Sequence, residues 1–294
     1  MKILVTGANG FIGAWTLHRL LESGHEVHAF DVDAAGPLVR RLLCNELARI
    51  RWWQGDVSAG EGVDRACVGC DLFVHLAGVL TPFCQEEPVH GAMVNLIGTL
   101  KVFEAARRTA LRKVVYASSA AVFGPRHDAF PEPITHYGAF KLACEGSARS
   151  YCREHGITSL GLRPFVVYGP GREEGASAGI SLACRAAAEG RPYTIPFTGR
   201  AGMVFVDDVV DAIAAAVTTE FEGAHVLNLG GEVHSVQEVI AQIHRHHPGA
   251  QLAADGPPLP LCTEMTARDT EPVVPGLRTT SLSTGIARTL AHFH

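Results

Sequence analysis

The chain has 294 residues, 47% of them hydrophobic, with 31 glycines and a formal charge of −5. That length suits one large domain with a smaller appendage, which buries about three quarters of its unfolded surface. Lysines and arginines are scattered rather than clustered, which argues against nucleic acid as a partner. Met1 and Lys2 lead straight into the apolar run Ile3-Leu4-Val5, so no signal peptide is expected. The most apolar helical stretch, 209–217, is too short to span a bilayer and carries Asp211, so a cytoplasmic protein without a membrane partner is expected. Eight cysteines include one C-x-x-C pair, Cys67 and Cys70, but no second pair at zinc spacing, so free thiols and no metal are expected.

In chain order, residues 2–6 read as a buried strand. Gly7-Ala8-Asn9-Gly10-Phe11-Ile12-Gly13 follows, then an amphipathic helix over 12–23 stopped by Gly24. A strand over 26–30 ends at Asp31; a helix over 38–48, a strand over 50–54 and a strand over 71–76 come next. A long helix spans 89–109, and a strand over 113–117 leads into Ser118-Ser119. Strands alternating with helices of this length predict an α/β, doubly wound parallel sheet of Rossmann type. Further on, a helix over 180–190, a strand over 204–206, a helix opened by Asp207-Asp208 and a strand over 226–229 are expected. Ser235 and Glu238 then form a capping box for a helix reaching His246, and the prolines of 255–260 mark a loop.

The glycine run points to a dinucleotide. Strand, glycines and helix together bring peptide N–H groups and a helix N-terminus up to a pyrophosphate, where any Cβ would obstruct the approach. Asp31 lies at the end of the second strand, where its carboxylate can bind both ribose hydroxyls and repel a 2′-phosphate, favouring NAD over NADP. Asp56 and Val57, after the third strand, are candidate adenine contacts.

The chemistry is expected at Y-G-A-F-K, residues 137–141. Tyr137 and Lys141 are four apart and share one helix face, eighteen residues beyond Ser119. A phenol ionises near pH 10. Bringing it to about 7 takes roughly 4 kcal/mol, which an ammonium and an oxidised nicotinamide supply in a partly dry site. Ser119 then donates to the substrate oxygen. His75 reads as a packed strand-end residue, because no acidic partner orients it.

Several further segments carry a resemblance: H-L-A-G at 75–78, N-L-I-G-T at 95–99, S-S-A-A-V-F-G at 118–124, R-P-F-V-V-Y-G-P-G at 163–171, M-V-F-V-D-D-V-V-D-A at 203–212 and N-L-G-G at 228–231. With T-G-A-N-G-F-I-G at 6–13 and Y-G-A-F-K, they resemble the extended short-chain dehydrogenase/reductase superfamily, in its NAD-dependent epimerase/dehydratase branch. Even the tail at 280–286 resembles the segment opening that family's last helix. The resemblance implies NAD as cofactor, with Gly7, Gly10 and Gly13 forming the pyrophosphate turn and Phe11 and Ile12 giving backbone contacts. It implies that Leu76, Ala77 and Gly78 line the nicotinamide side, that Asn95 supports the adjacent strand and cofactor, and that Pro164 and Val167 meet the carboxamide. Ser119, Tyr137 and Lys141 take the catalytic roles, with Lys141 also on the nicotinamide ribose. A homodimer through the 89–109 helix and the Tyr137 helix is implied as well.

There are departures. Val166 stands where nucleotide-sugar members often carry Asn, and Ala201-Gly202 precede Met203 where an Arg often meets a diphosphate. Arg200 comes slightly early. Arg172 and Arg191 are possible anion contacts, with a solvated surface position the expectation for each. Thr81-Pro82-Phe83 lies where a parallel sheet places its ligand crevice. The weak candidates for substrate contact are therefore Thr81, Ser119, Arg172 and Arg200. An NAD-binding domain is expected over 1–170, rejoined by about 203–231, with a smaller substrate lobe from 171–202 and 232–294. Three readings stand: an epimerase or dehydratase of a sugar or sugar nucleotide working through transient hydride transfer, a simple dehydrogenase of a sugar, sugar acid or small alcohol, and a non-catalytic NAD-binding sensor.

Overall fold

A computed structural model describes residues 1–59, 61–126, 128–265, 273–274 and 276–293. Residues 266–272 and 275, part of the expected substrate lobe, fall outside the described residues.

Six strands come early in the chain: β1 (Lys2–Thr6), β2 (Glu26–Asp31), β3 (Arg51–Gln54), β4 (Leu72–His75), β5 (Lys113–Ala117) and β6 (Thr158–Pro164). The chain then leaves this set for β7 (Val166–Tyr168), β8 (Tyr193–Ile195) and β9 (Arg200–Phe205), and β10 (Ala224–Leu229) returns to pair with β6. β11 (Glu232–Ser235) and β12 (Leu252–Ala254) follow. The main sheet has seven parallel strands in the order β10-β6-β5-β4-β1-β2-β3. Side chains alternate between its faces. Ile3 and Val5 enter one apolar core and Leu4 the other, and all three are fully buried. A strand apolar on both faces is stable only when helices cover both.

The helices are α1 (Phe11–Glu22), α2 (Pro37–Leu42), α3 (Glu61–Ala66), α4 (Thr81–Glu86), α5 (Pro88–Ala92), α6 (Gly98–Arg108), α7 (His136–His155), α8 (Gly179–Ala188), α9 (Val206–Thr218), α10 (Val236–His246) and α11 (Leu282–Ala291). α1 and α9 pack together over one face. None of the helices among the described residues is long and apolar enough to cross a membrane.

The helix expected over 89–109 is present as an unbroken helical run over 88–108, but it is not α-helical throughout. Pro88 opens α5, and a π-helical turn, Met93–Ile97, joins α5 directly to α6. The Asn95 side chain donates to Gly91 O at 3.1 Å and Thr99 Oγ1 donates to Asn95 O at 2.6 Å, so side chains compete with the backbone ladder there. The expected 38–48 helix is likewise shorter: α2 ends at Leu42, and Leu47–Arg49 is a 3-10 turn.

Outside the main sheet, β11-β9-β7 form a second sheet, with β9 antiparallel to β11 and parallel to β7. Its turn needs glycine. Gly231 has φ +67°, and a Cβ there would lie 2.1 Å from Met203 O. β8 and β12 pair in parallel as a third, two-stranded element. β6, β7, β11 and the β8–β12 pair are not among the strands expected from the sequence, and β9 begins at Arg200, four residues before the expected 204–206 strand.

Candidate active site

The strand order reverses between β1 and β4, and a parallel sheet opens a crevice beyond the carboxyl ends of such a pair. Thr6 and His75 are register partners at that end, and the loops that follow them touch. Gly7 has φ +69°, and a Cβ on it would sit 2.5 Å from Ala77 N. A Cβ on Gly13 would lie 2.0 Å from Gly7 O, so α1 can start against the turn only with glycine there. Gly10 is the N-cap of α1 and gives no side-chain cap. The first-turn N–H groups of Phe11, Ile12 and Gly13 thus face outward from a positive helix end, which suits a pyrophosphate.

At the far end of this crevice, Asp31 Oδ2 accepts from Asn9 N at 2.8 Å and Oδ1 from Val32 N at 2.8 Å. Each carboxylate oxygen keeps a lone pair for a ribose hydroxyl. Asn9 accepts from Gly36 N and donates to Ala34 O, which pins the loop beside Asp31. The sequence reading passed over this residue. Asp56 caps its own turn by accepting from Ser58 N at 2.7 Å, and Val57 is buried against Gly98.

The other end of the crevice is a cavity of about 210 Å³. Ser119, Tyr137 and Lys141 all line it, as do Ile12, Leu76, Gly78, Thr81, Asn95, Pro164 and Val167. The second letter of Y-G-A-F-K brings the first two together. A Cβ on Gly138 would lie 2.3 Å from Ala121 O, so only glycine lets α7 close on the turn that carries Ser119. Thr135 caps α7 by accepting from Gly138 N at 3.1 Å. Ser119 Oγ accepts from Ala121 N at 3.1 Å, which leaves its proton free to be donated. Lys141 is 3% exposed; its Nζ donates to Ala117 O at 2.8 Å and lies 5.6 Å from the centre of the Tyr137 ring.

Asn95, in the π turn, donates to Val79 O at 3.0 Å, while its Oδ1 is buried without a partner. A Cβ on Gly78 would meet that oxygen at 2.6 Å, so Gly78 keeps open a pocket holding an acceptor next to Lys141. An uncapped helix end, a glycine cradle and an orphaned acceptor beside a lysine together fit a dinucleotide.

His75 lies beneath this site. Its Nδ1 is 2.7 Å from Thr6 Oγ1 and its Nε2 is 3.0 Å from Thr99 Oγ1. Burial, with a smaller push from Lys141, holds its pKa down to about 3, so the ring is neutral and ties β1 and β4 to α6. Below Ser119, Ser118 donates to Glu145, which also takes a bond from Arg163 Nε at 2.7 Å. The sequence reading did not single out this buried pair. Arg163 stacks over Phe123 at 4.8 Å.

The cationic candidates separate. Arg200 is exposed, 3.3 Å from Glu238, and donates to Val233 O, outside the cavity. Arg191 is an exposed partner of Glu189. Arg172, expected at a solvated surface, instead lines the cavity. Leu259, Pro260 and Leu261, from the loop expected over 255–260 and the residue after it, form part of the wall.

A doubly wound parallel sheet with a glycine turn at its crevice and a Ser–Tyr–Lys set in the adjoining cavity defines a dinucleotide-dependent enzyme of Rossmann type. The model of the NAD dependent epimerase/dehydratase family matches residues 3–230. The UDP-glucose 4-epimerase of Mycolicibacterium smegmatis is 31% identical over 274 residues, 87% of this chain and 85% of that protein. The crystal structure of UDP-glucose 4-epimerase from Thermus thermophilus in complex with NAD is similar at TM-score 0.85 and 28% identity, covering 100% of this chain and 99% of that one. MoeE5 in complex with UDP-glucuronic acid and NAD is similar at TM-score 0.86 and 26% identity, covering 99% and 98%. The chain belongs to the NAD-dependent epimerase/dehydratase family, within the extended short-chain dehydrogenases/reductases. It is an enzyme of that type, with NAD as its cofactor.

Proposed function

We propose that this enzyme is an epimerase or dehydratase that oxidises a carbinol of a sugar or sugar nucleotide transiently and then restores it after inversion or elimination. The observation that carries this reading is the single cavity shared by Ser119, Tyr137 and Lys141 at the nicotinamide end of the crevice. Gly7, Gly10, Phe11, Ile12 and Gly13 hold the pyrophosphate, Asp31 the adenosine ribose, and Asp56 and Val57 border the adenine. Leu76, Ala77, Gly78, Asn95, Pro164 and Val167 surround the nicotinamide. When bound, NAD supplies the hydride acceptor. Tyr137 takes the carbinol proton, Ser119 donates to the same oxygen, and Lys141 favours the phenolate and holds the nicotinamide ribose.

A specific observation favours a second reading, a net dehydrogenase of a small alcohol or sugar acid. Val166 and Ala201 carry apolar side chains, so neither position presents a polar group to a nucleotide diphosphate. Incubation with NAD and a panel of sugars, sugar acids and sugar nucleotides separates the two. Inversion or elimination without NADH supports the first; stoichiometric NADH supports the second.

The division into an NAD-binding domain over 1–170 with about 203–231 and a smaller substrate lobe is part of this proposal. So is a homodimer. It is supported by Val89, 79% exposed, and Met93, 41% exposed, on the α5 side of the molecule. Light scattering that gives a monomer mass would reject it.

A further inference from the structure

Among the described residues, those lining the cavity include two cations and no carboxylate. Lys141 is accounted for by its bond to Ala117 O and its place beside Tyr137. Arg172 is not. Its loop folds back so that Nη2 donates to Ser177 Oγ at 2.9 Å, while its Nε has no solvent contact and no partner. Burial pulls its pKa down to about 10, opposed by the nearby Tyr137, so it remains charged at neutral pH. Leu80, Phe165, Val167 and Leu259 make the surrounding walls apolar, which strengthens the field of a charge held among them. A shielded guanidinium with an unused donor, faced by no acid among the described residues, is a site for an anion.

Two sources of anion are open to it. Phe11, in the pyrophosphate turn, has its ring centre 5.9 Å from the guanidinium carbon, so the cofactor is one. The other is the substrate. Arg172 and Ser177 line the same cavity as Ser119 and Tyr137; the turn reaches it through Ile12, whereas Gly7, Gly10, Phe11 and Gly13 are not among its lining, which favours the substrate. A single fork-shaped cation suits a planar, singly charged carboxylate. Arg191 and Arg200, the other candidates, are paired with Glu189 and Glu238 away from the cavity.

We propose that Arg172, braced by Ser177, binds a carboxylate of the substrate, so that the substrate is a sugar acid or hydroxy acid of similar size whose reacting hydroxyl meets Tyr137. This rests on the proposed hydride-transfer function and holds whether or not the hydride is returned.

Calorimetry on the NAD-loaded protein tests it with matched pairs: D-galacturonate and D-galactose, D-gluconate and D-glucitol, L-lactate and propane-1,2-diol. The wild type should bind the acid of at least one pair tenfold or more tightly than its neutral partner. Arg172→Met should weaken that acid roughly 10- to 100-fold, more than the neutral partner, and shift NAD binding less than twofold. Arg172→Lys should recover part of the loss and covers the case in which the methionine variant does not fold. Three results would overturn the proposal. They are no acid preference in any pair, a fall in NAD affinity matching the fall for the acid, and tighter binding of galactose 1-phosphate than of every acid. Binding is read without turnover, so a protein that binds the acid but never reduces NAD would break the hydride-transfer reading alone.

Discussion

The two ends of the crevice are built differently. The end at the glycine turn presents mostly backbone: a left-handed glycine, an uncapped helix and one carboxylate, drawn from the β1–α1 turn, α1 and the end of β2. The cavity end presents side chains from segments far apart in the chain, from Ile12 to Leu261. A backbone-built site tolerates little change at its glycines, because only glycine fits the turn. A site assembled from side chains depends on the packing beneath it, where buried pairs such as Glu145–Arg163 hold the strand ends in place.

Substitutions can break this contrast or sharpen it. Tyr137→Phe should lower kcat by about 10²- to 10⁴-fold while NAD binding, followed by calorimetry, stays close to wild type. A fully active variant would mean the proton goes elsewhere. Glu145→Ala leaves Arg163 as an uncompensated buried charge and should cost about 3–5 kcal/mol in urea denaturation. Asp31→Ala acts only at the backbone-built end. It should weaken NAD roughly 10- to 100-fold and narrow the NAD/NADP preference, with substrate binding unaltered.

His75 gives a pH signature. Its folded pKa, about 3, lies below the unfolded value of 6.5, so the unfolded chain binds the extra proton between these limits. Stability is then greatest above pH 6.5 and falls as the solution is acidified towards pH 3, by about 2 kcal/mol at pH 5. Denaturation midpoints should show this slope in the wild type and a shallower one in His75→Gln. Arg200→Ala, at an exposed ion pair, should change stability by less than about 1 kcal/mol and leave kcat untouched.

The glycine turn, Asp31 and the Ser119–Tyr137–Lys141 spacing were legible because each depends on residues close in sequence or on a fixed helical or strand period. Asn9 was not, since its partners Ala34 and Gly36 lie in a loop whose path the sequence does not reveal. The π turn was hidden because residues 89–109 carry a helical pattern throughout, and the distortion comes from Asn95 and Thr99 competing for backbone groups. Arg172 was misplaced for a related reason. A charged residue between glycine and two glutamates reads as exposed, and only the fold-back of 172–177 onto Leu80 shields it.

By itself the amino-acid sequence determined the doubly wound parallel sheet and the cofactor class, and it marked Tyr137 and Lys141 as one helix face, because periodicity, glycine sterics and i,i+4 geometry are local and need no partner. The tertiary structure alone decided which arginine lines the cavity, which loop forms its wall and which buried pairs support it. Burial and pairing come from contacts between segments distant in the chain, and it is they that separate Arg172 from Arg200.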